Sequence, residues 1–249
     1  MPPKPQPIPI TDGCSNASRK EDEFVHQVYN HIAPHFSNTR YKAWPVVENF
    51  LHQQPSGSLG ADVGCGNGKY MGVDSRLALL GSDRSSELAS ITYQRGFEVM
   101  VADNQSLAYR SQLFDFAISI AVIHHFATEE RRIAALQEIV RVVKPQGKIL
   151  IFVWALEQRG KRKFDQAHQD FMVPWVIPAN TTAGGSQPHS ADTAPPQEDE
   201  SERVFHRYYH LFKEGELESL VERSNLSHCV EITEHGYDRD NWYIVLTKT

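Results

Sequence analysis

The sequence predicts one α/β domain built on a seven-stranded, mostly parallel sheet. Three observations carry this. Five strand-like apolar runs alternate with helical patterns, the first run ends in a glycine cluster, and two closing strand patterns flank a tight turn. At 249 residues, 40% hydrophobic and 22% charged, the chain is long enough for one large core.

The elements follow in order. MPPKPQPIPI, at the start, alternates proline with other residues and fits neither a secretory signal nor a transit peptide, so residues 1–20 read as a disordered tail. From Glu21 onward Phe24, Val25, Val28, Tyr29 and Ile32 recur at helical steps until Pro34. A second helix opens at Trp44-Pro45 and closes by PSGS. Strands are predicted at 59–63, 77–83, 97–103, 114–122 and 148–154, with crossover helices between several of them. The clearest helix is TEERRIAALQEIVRVV, capped by Thr128 and ended by Lys144-Pro145-Gln146-Gly147. Residues 179–203 lack large apolar side chains and read as a disordered insertion within a single domain over 21–249. A short helix near 214–224 precedes the strand patterns CVEITEHG and NWYIVLTKT, an antiparallel pair that closes the sheet.

The longest apolar block, FAISIAVI, is shorter than the roughly 18–20 residues a membrane span needs. The net charge of −6 makes the whole molecule no trap for nucleic acid, although RGKRK, which includes Lys161 and Arg162, concentrates four cations in five residues. Cys14, Cys65 and Cys229 form no C-x-x-C pair, which argues against a disulfide framework or a structural metal site. The expected setting is reducing: cytoplasm, with the nucleus as a second compartment.

The glycines in ADVGCGNGKY are Gly64, Gly66 and Gly68, spaced G-x-G-x-G and not G-x-G-x-x-G. Such a strand-to-loop corner binds nucleosides or phosphates beyond the carboxyl ends of strands. Asp62 narrows the choice, because a carboxylate a few ångströms from a pyrophosphate repels it by roughly 1–4 kcal/mol. A sulfonium and an ammonium are attracted instead, so the sign of charge favours S-adenosylmethionine. Asp83 and Asp103 end the next two strands, Asp83 where a ribose would present its hydroxyls. Read singly, each acid is a turn former or a cap; the series of three is what points to a ligand.

DVGCGNGKY, GSDRS, VAD, FDFAISIAVIHHF, YNHIAPHFSNTRYKAWP, VWALEQ, VPW, YYHLFKEGEL and RDNWY together resemble the eukaryotic wobble-uridine tRNA carboxyl methyltransferases. That family comprises the fungal enzyme and the related domain of animal AlkB-type tRNA proteins. The resemblance implies a Rossmann-like class I S-adenosylmethionine-dependent methyltransferase fold. It implies esterification of 5-carboxymethyluridine at the tRNA wobble position, and a small zinc-binding activator subunit. A small-molecule methyltransferase of the same fold, or a non-catalytic S-adenosylmethionine-binding scaffold, is the alternative. A small-molecule enzyme needs an apolar lid where this chain carries RGKRK and HRYYH, and a scaffold has no use for all three acids.

Methyl transfer to a carboxylate needs placement more than a base, since the acid is already ionised at pH 7. His124 and His125 follow the fourth strand and are candidates to contact substrate or cofactor. Arg40 offers a fork suited to a carboxylate and is expected to fold over the site, while Tyr29 is expected either to close over the donor or to sit in the core. Arg84, beside Asp83, and Ala121, ending the fourth strand, complete the expected cofactor set. For the anticodon loop the candidates are Arg207, Tyr208, Tyr209, Asn241 and Trp242, through stacking and cationic contacts, with Lys161 and Arg162 as a phosphate track. FHRYYH reads equally as a strand with one buried aromatic face. The edge strand 97–103, guarded only by Glu98, is where the activator is expected to add a strand.

Overall fold

A computed structural model describes residues 5–11, 16–160, 163–179 and 202–249. Strands β2 (Leu59–Val63), β3 (Ala78–Asp83), β4 (Val99–Val101), β5 (Phe114–Ile120), β6 (Val143–Trp154), β9 (Val230–Asp238) and β10 (Asn241–Lys248) form a seven-stranded sheet in the order β4-β3-β2-β5-β6-β10-β9. Strands β2 to β6 pair in parallel, and β10 runs antiparallel to both β6 and β9. This is the sheet the alternating pattern predicts. The closing hairpin is held by Asn241, whose side-chain amide donates to the carbonyls of Asp238 and Arg239.

Both faces of the sheet are covered, as a mostly parallel sheet requires. On one face Leu136, Ile139 and Val140 of α5 (Glu129–Val142) join Leu217, Leu220 and Val221 of α6 (Glu216–Arg223) over Ile149, Ile151 and Ile244. On the other, Val47, Phe50 and Leu51 of α3 (Pro45–His52) pack on Phe116, Ile118 and Phe152. The N-caps follow the residue chemistry: Thr128 accepts from the amide of Arg131 and Ser85 from that of Leu88, opening α5 and α4 (Ser86–Gln94).

The structure departs from expectation in four places. Helix α2 (Gln27–Thr39) continues through Pro34. A proline inside a helix costs about 3 kcal/mol, whereas fully burying side chains such as Val28 and Ile32 returns roughly 1.5–3 kcal/mol each, enough to carry the helix onward. Residues predicted as tail contain α1 (Ala17–Glu21), capped by Asn16, and a two-residue strand β1 (Ile8–Pro9). A π-helical turn, Asp22–His26, joins α1 to α2. Finally, β1 pairs with β7 (Asp170–Ile177), and β7 with β8 (Arg203–His210), forming a second, antiparallel sheet that the alternation of elements does not announce. Most of the insertion expected at 179–203 lies outside the described residues, as do Lys161 and Arg162. No helix among the described residues is long and apolar enough to cross a membrane.

Candidate active site

One cleft gathers most of the predicted residues: Tyr29, Arg40, Asp62, Gly64, Gly66, Asp83, Arg84, Asp103, Ala121, His125, Arg207 and Tyr209 all line it. Its empty space, counting the open mouth, is about 1250 Å³. Two halves of opposite charge face each other across it.

The floor is acidic. Parallel strands β2, β3 and β4 bring Asp62, Asp83 and Asp103 to the same edge, because each acid ends or follows the carboxyl end of its strand. Asp62 is 1% exposed and its Oδ2 has no hydrogen-bond partner among the described residues. Burial, reinforced by the neighbouring Asp83 and opposed by Lys69, pushes its carboxyl up to about 7. Asp83 accepts the Gly66 amide on Oδ2 and the Ser85 amide on Oδ1, each at 2.8 Å, so it shapes the glycine loop as well as facing the cleft. Burial still raises it, against the opposing pull of the Ser85, Gly66 and Arg84 amides. Asp103 is exposed at the mouth and accepts the Gln105 amide. Asn104 beside it is buried in the wall with Oδ1 unpartnered.

Gly64 and Gly68 are required by space, and Gly66 by its positive φ of +57°. Gly64 stands at φ +80°, and a Cβ there would lie 2.4 Å from a Val122 methyl. Gly68 does not line the cleft; it stands at φ +70° and lets the loop pack on Thr92. A buried carboxylate awaiting a cation and a loop stripped of side chains suit the ammonium, sulfonium and ribose of S-adenosylmethionine.

The roof is cationic. Pleating sends Arg207 and Tyr209 of β8 into the cleft and turns Tyr208 away from it. Arg207 is 3% exposed; its guanidinium lies 4.7 Å from the Trp175 ring centroid and 5.1 Å from that of Tyr209. Arg40, from the segment after α2, lies 5.1 Å from the same tryptophan. Neither forms an ion pair with a carboxylate among the described residues. Burial and Arg207 both depress the Arg40 guanidinium. Burial also acts against Arg207, but Tyr209 and Tyr29 hold it above its ordinary value. Lys69 adds a third cation, over the rings of Trp44 (4.8 Å) and Tyr70 (4.6 Å). Burial brings it down to about 8 although Asp62 pulls upward.

A directed chain of hydrogen bonds runs beneath the roof. His125 Nδ1 lies 2.8 Å from the Tyr208 carbonyl, which only accepts, so Nδ1 carries the proton. Nε2 therefore accepts from the Tyr29 hydroxyl at 3.0 Å. Arg207 donates to Tyr209 at 2.8 Å, and the Tyr209 hydroxyl meets that of Tyr29 at 3.2 Å. Burial pushes His125 down to about 3, so it stays neutral.

Comparison with known proteins gives a consistent picture. A family model described as a methyltransferase domain matches residues 61–151. The tRNA (carboxymethyluridine(34)-5-O)-methyltransferase of Schizosaccharomyces pombe is 46% identical over 92% of this chain and 97% of its own. The chain belongs to this methyltransferase family. Its relative in Xenopus tropicalis, tRNA (carboxymethyluridine(34)-5-O)-methyltransferase alkbh8, is 42% identical over 96% of this chain but only 43% of that longer protein. Among solved structures, a 1,6-didemethyltoxoflavin-N1-methyltransferase from Burkholderia thailandensis, with bound 1,6-didemethyltoxoflavin and S-adenosylhomocysteine, shares the fold. Its TM-score is 0.67 at 15% identity, covering 98% of this chain and 95% of that one.

Several of the expected site residues lie outside the cleft or have their polar atoms engaged within the protein. His124 does not line the cleft: it is fully buried, accepts the Trp154 amide on Nδ1 and stacks on Tyr209 at 4.8 Å. Burial, with His125 beside it, holds it well below the usual imidazole range. His125 has both nitrogens engaged and so props the roof, with no free proton for a substrate anion. Tyr208 faces away and donates to Asp170 at 2.7 Å. Asn241 caps its hairpin, and Trp242 donates to Glu157 at 3.0 Å outside the cleft. Tyr29 lines the cleft and also packs against the cluster of Val28, Ile32, Trp175 and Ile177.

Among the residues that went unassigned from sequence are Glu21, Lys69 and Asn104, which line the cleft, and Trp175, which backs its two arginines. Lys69 stood in the glycine motif and Trp175 in VPW, so a motif signal existed but no role. Glu21 had no signal. It is 1% exposed, grips Arg131 through both oxygens (2.7 and 2.6 Å) and accepts the Ala127 amide, fastening α1 beside the cleft.

Proposed function

We propose that this chain is an S-adenosylmethionine-dependent O-methyltransferase that esterifies the carboxymethyl group of 5-carboxymethyluridine at the tRNA wobble position. The observation that carries the reading is the pair of cations, Arg40 and Arg207, set on Trp175 inside the cleft with no acidic partner among the described residues. Arg207 is buried, while Arg40 beside it is exposed to the cleft mouth. A buried cation without a counter-ion is costly, and a substrate carboxylate would supply that counter-ion in bidentate form.

When bound, the donor supplies an electrophilic methyl on a positively charged sulfur. The residues on the floor would hold it: Asp62 suits its cationic end and Asp83 its ribose, with Asp103 and Asn104 lining the far wall. The roof holds the acceptor. A carboxylate with a pKa of about 4 is ionised at neutral pH, so the protein needs no general base. Its task is orientation, which supplies roughly 7–11 kcal/mol when two reactants are aligned. Neutral His125 and the two tyrosines contribute by fixing the Arg207 guanidinium.

A partner is part of the proposal. β4 is an edge strand of the large sheet, only three residues long, and Val101 on it is 55% exposed. A small zinc-binding activator adding a strand along β4 would cover that edge.

The test is methyl transfer from labelled donor to tRNA carrying 5-carboxymethyluridine, beside an unmodified transcript, with and without the candidate activator. Alkali-labile label is expected in the first RNA alone. Label in the unmodified transcript would overturn the carboxylate assignment.

A further inference from the structure

The proposed function leaves open how the cleft tells the acid from its neutral relatives, one of which is its own product. The Arg207 donors bear on this. NH1 is committed to the hydroxyls of Tyr209 and Tyr29 (2.8 and 3.3 Å), while Nε is buried with no partner among the described residues. No carboxylate among the described residues balances the charge; the groups acting on Arg207 are two tyrosines, and those acting on Arg40 are Arg207 and the same tyrosines. A guanidinium has five donors and no acceptor. Whatever fills this space must therefore accept hydrogen bonds, and it is bound best when it carries a full negative charge.

Resting on the reading above, we propose that Arg207, assisted by Arg40, selects for negative charge at the acceptor group, so that methylation itself weakens the grip on the product. The carboxylate offers two anionic oxygens to the unpartnered donors. The methyl ester is neutral and offers one good acceptor. The corresponding primary amide is neutral too, and its NH₂ confronts guanidinium N–H groups with further donors. Forming the ester thus removes the charge that Arg207 and Arg40 hold. Hydrogen bonds to charged groups contribute about 1.5–3 kcal/mol, which corresponds to roughly 10- to 150-fold in affinity. The ester and the amide should accordingly bind at least about tenfold more weakly than the acid.

The experiment measures the affinity of the full chain, saturated with S-adenosylhomocysteine, for three anticodon stem-loops identical except for a carboxymethyl, a carbamoylmethyl or a methoxycarbonylmethyl group on the wobble uridine. The expected order places the acid at least about tenfold ahead of the other two, with R207Q bringing the three within about threefold of one another. Equal affinities in the wild-type chain would overturn the inference, even if R207Q failed to fold. So would an acid preference that persists undiminished in a folded R207Q. The companion turnover assay, run with the candidate activator present, separates the two claims: methylation of the acid with equal affinities sinks only the charge selection, whereas no methylation of the acid sinks the function.

Discussion

The floor and the roof of the cleft are built by opposite strategies. The floor takes its acids from three successive strand ends between Asp62 and Asp103, a span in which sequence order and spatial order coincide. The roof takes Tyr29 and Arg40 from the helical N-terminal region, Trp175 from β7, and Arg207 with Tyr209 from β8. Tyr29 and Tyr209, 180 residues apart, meet hydroxyl to hydroxyl. Burial raises the Asp62 and Asp83 carboxyls on the floor. Buried Arg207 on the roof stays charged because aromatic faces and phenol oxygens replace water around it. One half is thus ready for a cation and the other for an anion.

The roof's foundation differs as well. His210 at the end of β8 is held between Asp170 of β7 (2.8 Å) and Glu216 of α6 (2.7 Å), which ties the small sheet to the main body. Burial alone would raise both acids, but hydrogen bonds from His210, with Tyr208 aiding at Asp170, leave them below their ordinary range.

Breaking the roof should have the largest effect. Arg207→Gln is expected to lower kcat/KM on the modified tRNA by about 2–4 kcal/mol, roughly 30- to 1000-fold, while S-adenosylhomocysteine affinity changes little. Steady-state kinetics beside calorimetry checks this, and a matching loss of cofactor affinity would erase the division between the halves.

Breaking the floor should give the converse. Asp83→Asn replaces one carboxylate oxygen by an NH₂ that faces either the Gly66 or the Ser85 amide. Cofactor affinity should fall by about 1–3 kcal/mol, with RNA affinity nearly unchanged. Calorimetry with S-adenosylhomocysteine and a filter-binding assay with RNA read the two separately.

The smallest effect sharpens the comparison through pH. With Asp62 at about 7 in the ligand-free protein, roughly nine-tenths of that carboxyl is protonated one unit lower, at pH 6. A cationic donor draws it down, so binding should release a proton at pH 6 and almost none at pH 8, and affinity should rise by up to about tenfold between them. Calorimetry in two buffers of different ionisation enthalpy counts the proton. The same shift has a stability sign: the folded pKa lies above the unfolded one, so stability is full below about 4 and declines as pH rises through 7. Proton uptake on binding would show that Asp62 does not face the cation.

The floor was legible because β-strand ends and glycine loops are local. Asp62, Asp83 and Asp103 could be placed at one sheet edge from strand lengths alone, while Asp83's double use by loop amides and the buried Asn104 stayed hidden. The block FHRYYH displayed its cations and aromatics but not its facing. Strand pleating gave Arg207 and Tyr209 to the cleft and Tyr208 and His210 to the opposite side. Asn241 and Trp242 follow the same lesson, since a turn cap and a Glu157 contact claimed them. Edge strand 97–103 shrank to Val99–Val101 because Asp103 already enters a bridge with Ser106.

By itself the sequence determined the large sheet, the glycine loop and the acidic half, because those depend on periodicity and on backbone geometry within a few tens of residues. Only the tertiary structure decided the second sheet, the neutral tautomer of His125 and the two roof arginines that have no carboxylate partner among the described residues. Those arise where distant segments exclude water together, and the charge state and partners of a buried group are set by whatever else is buried beside it.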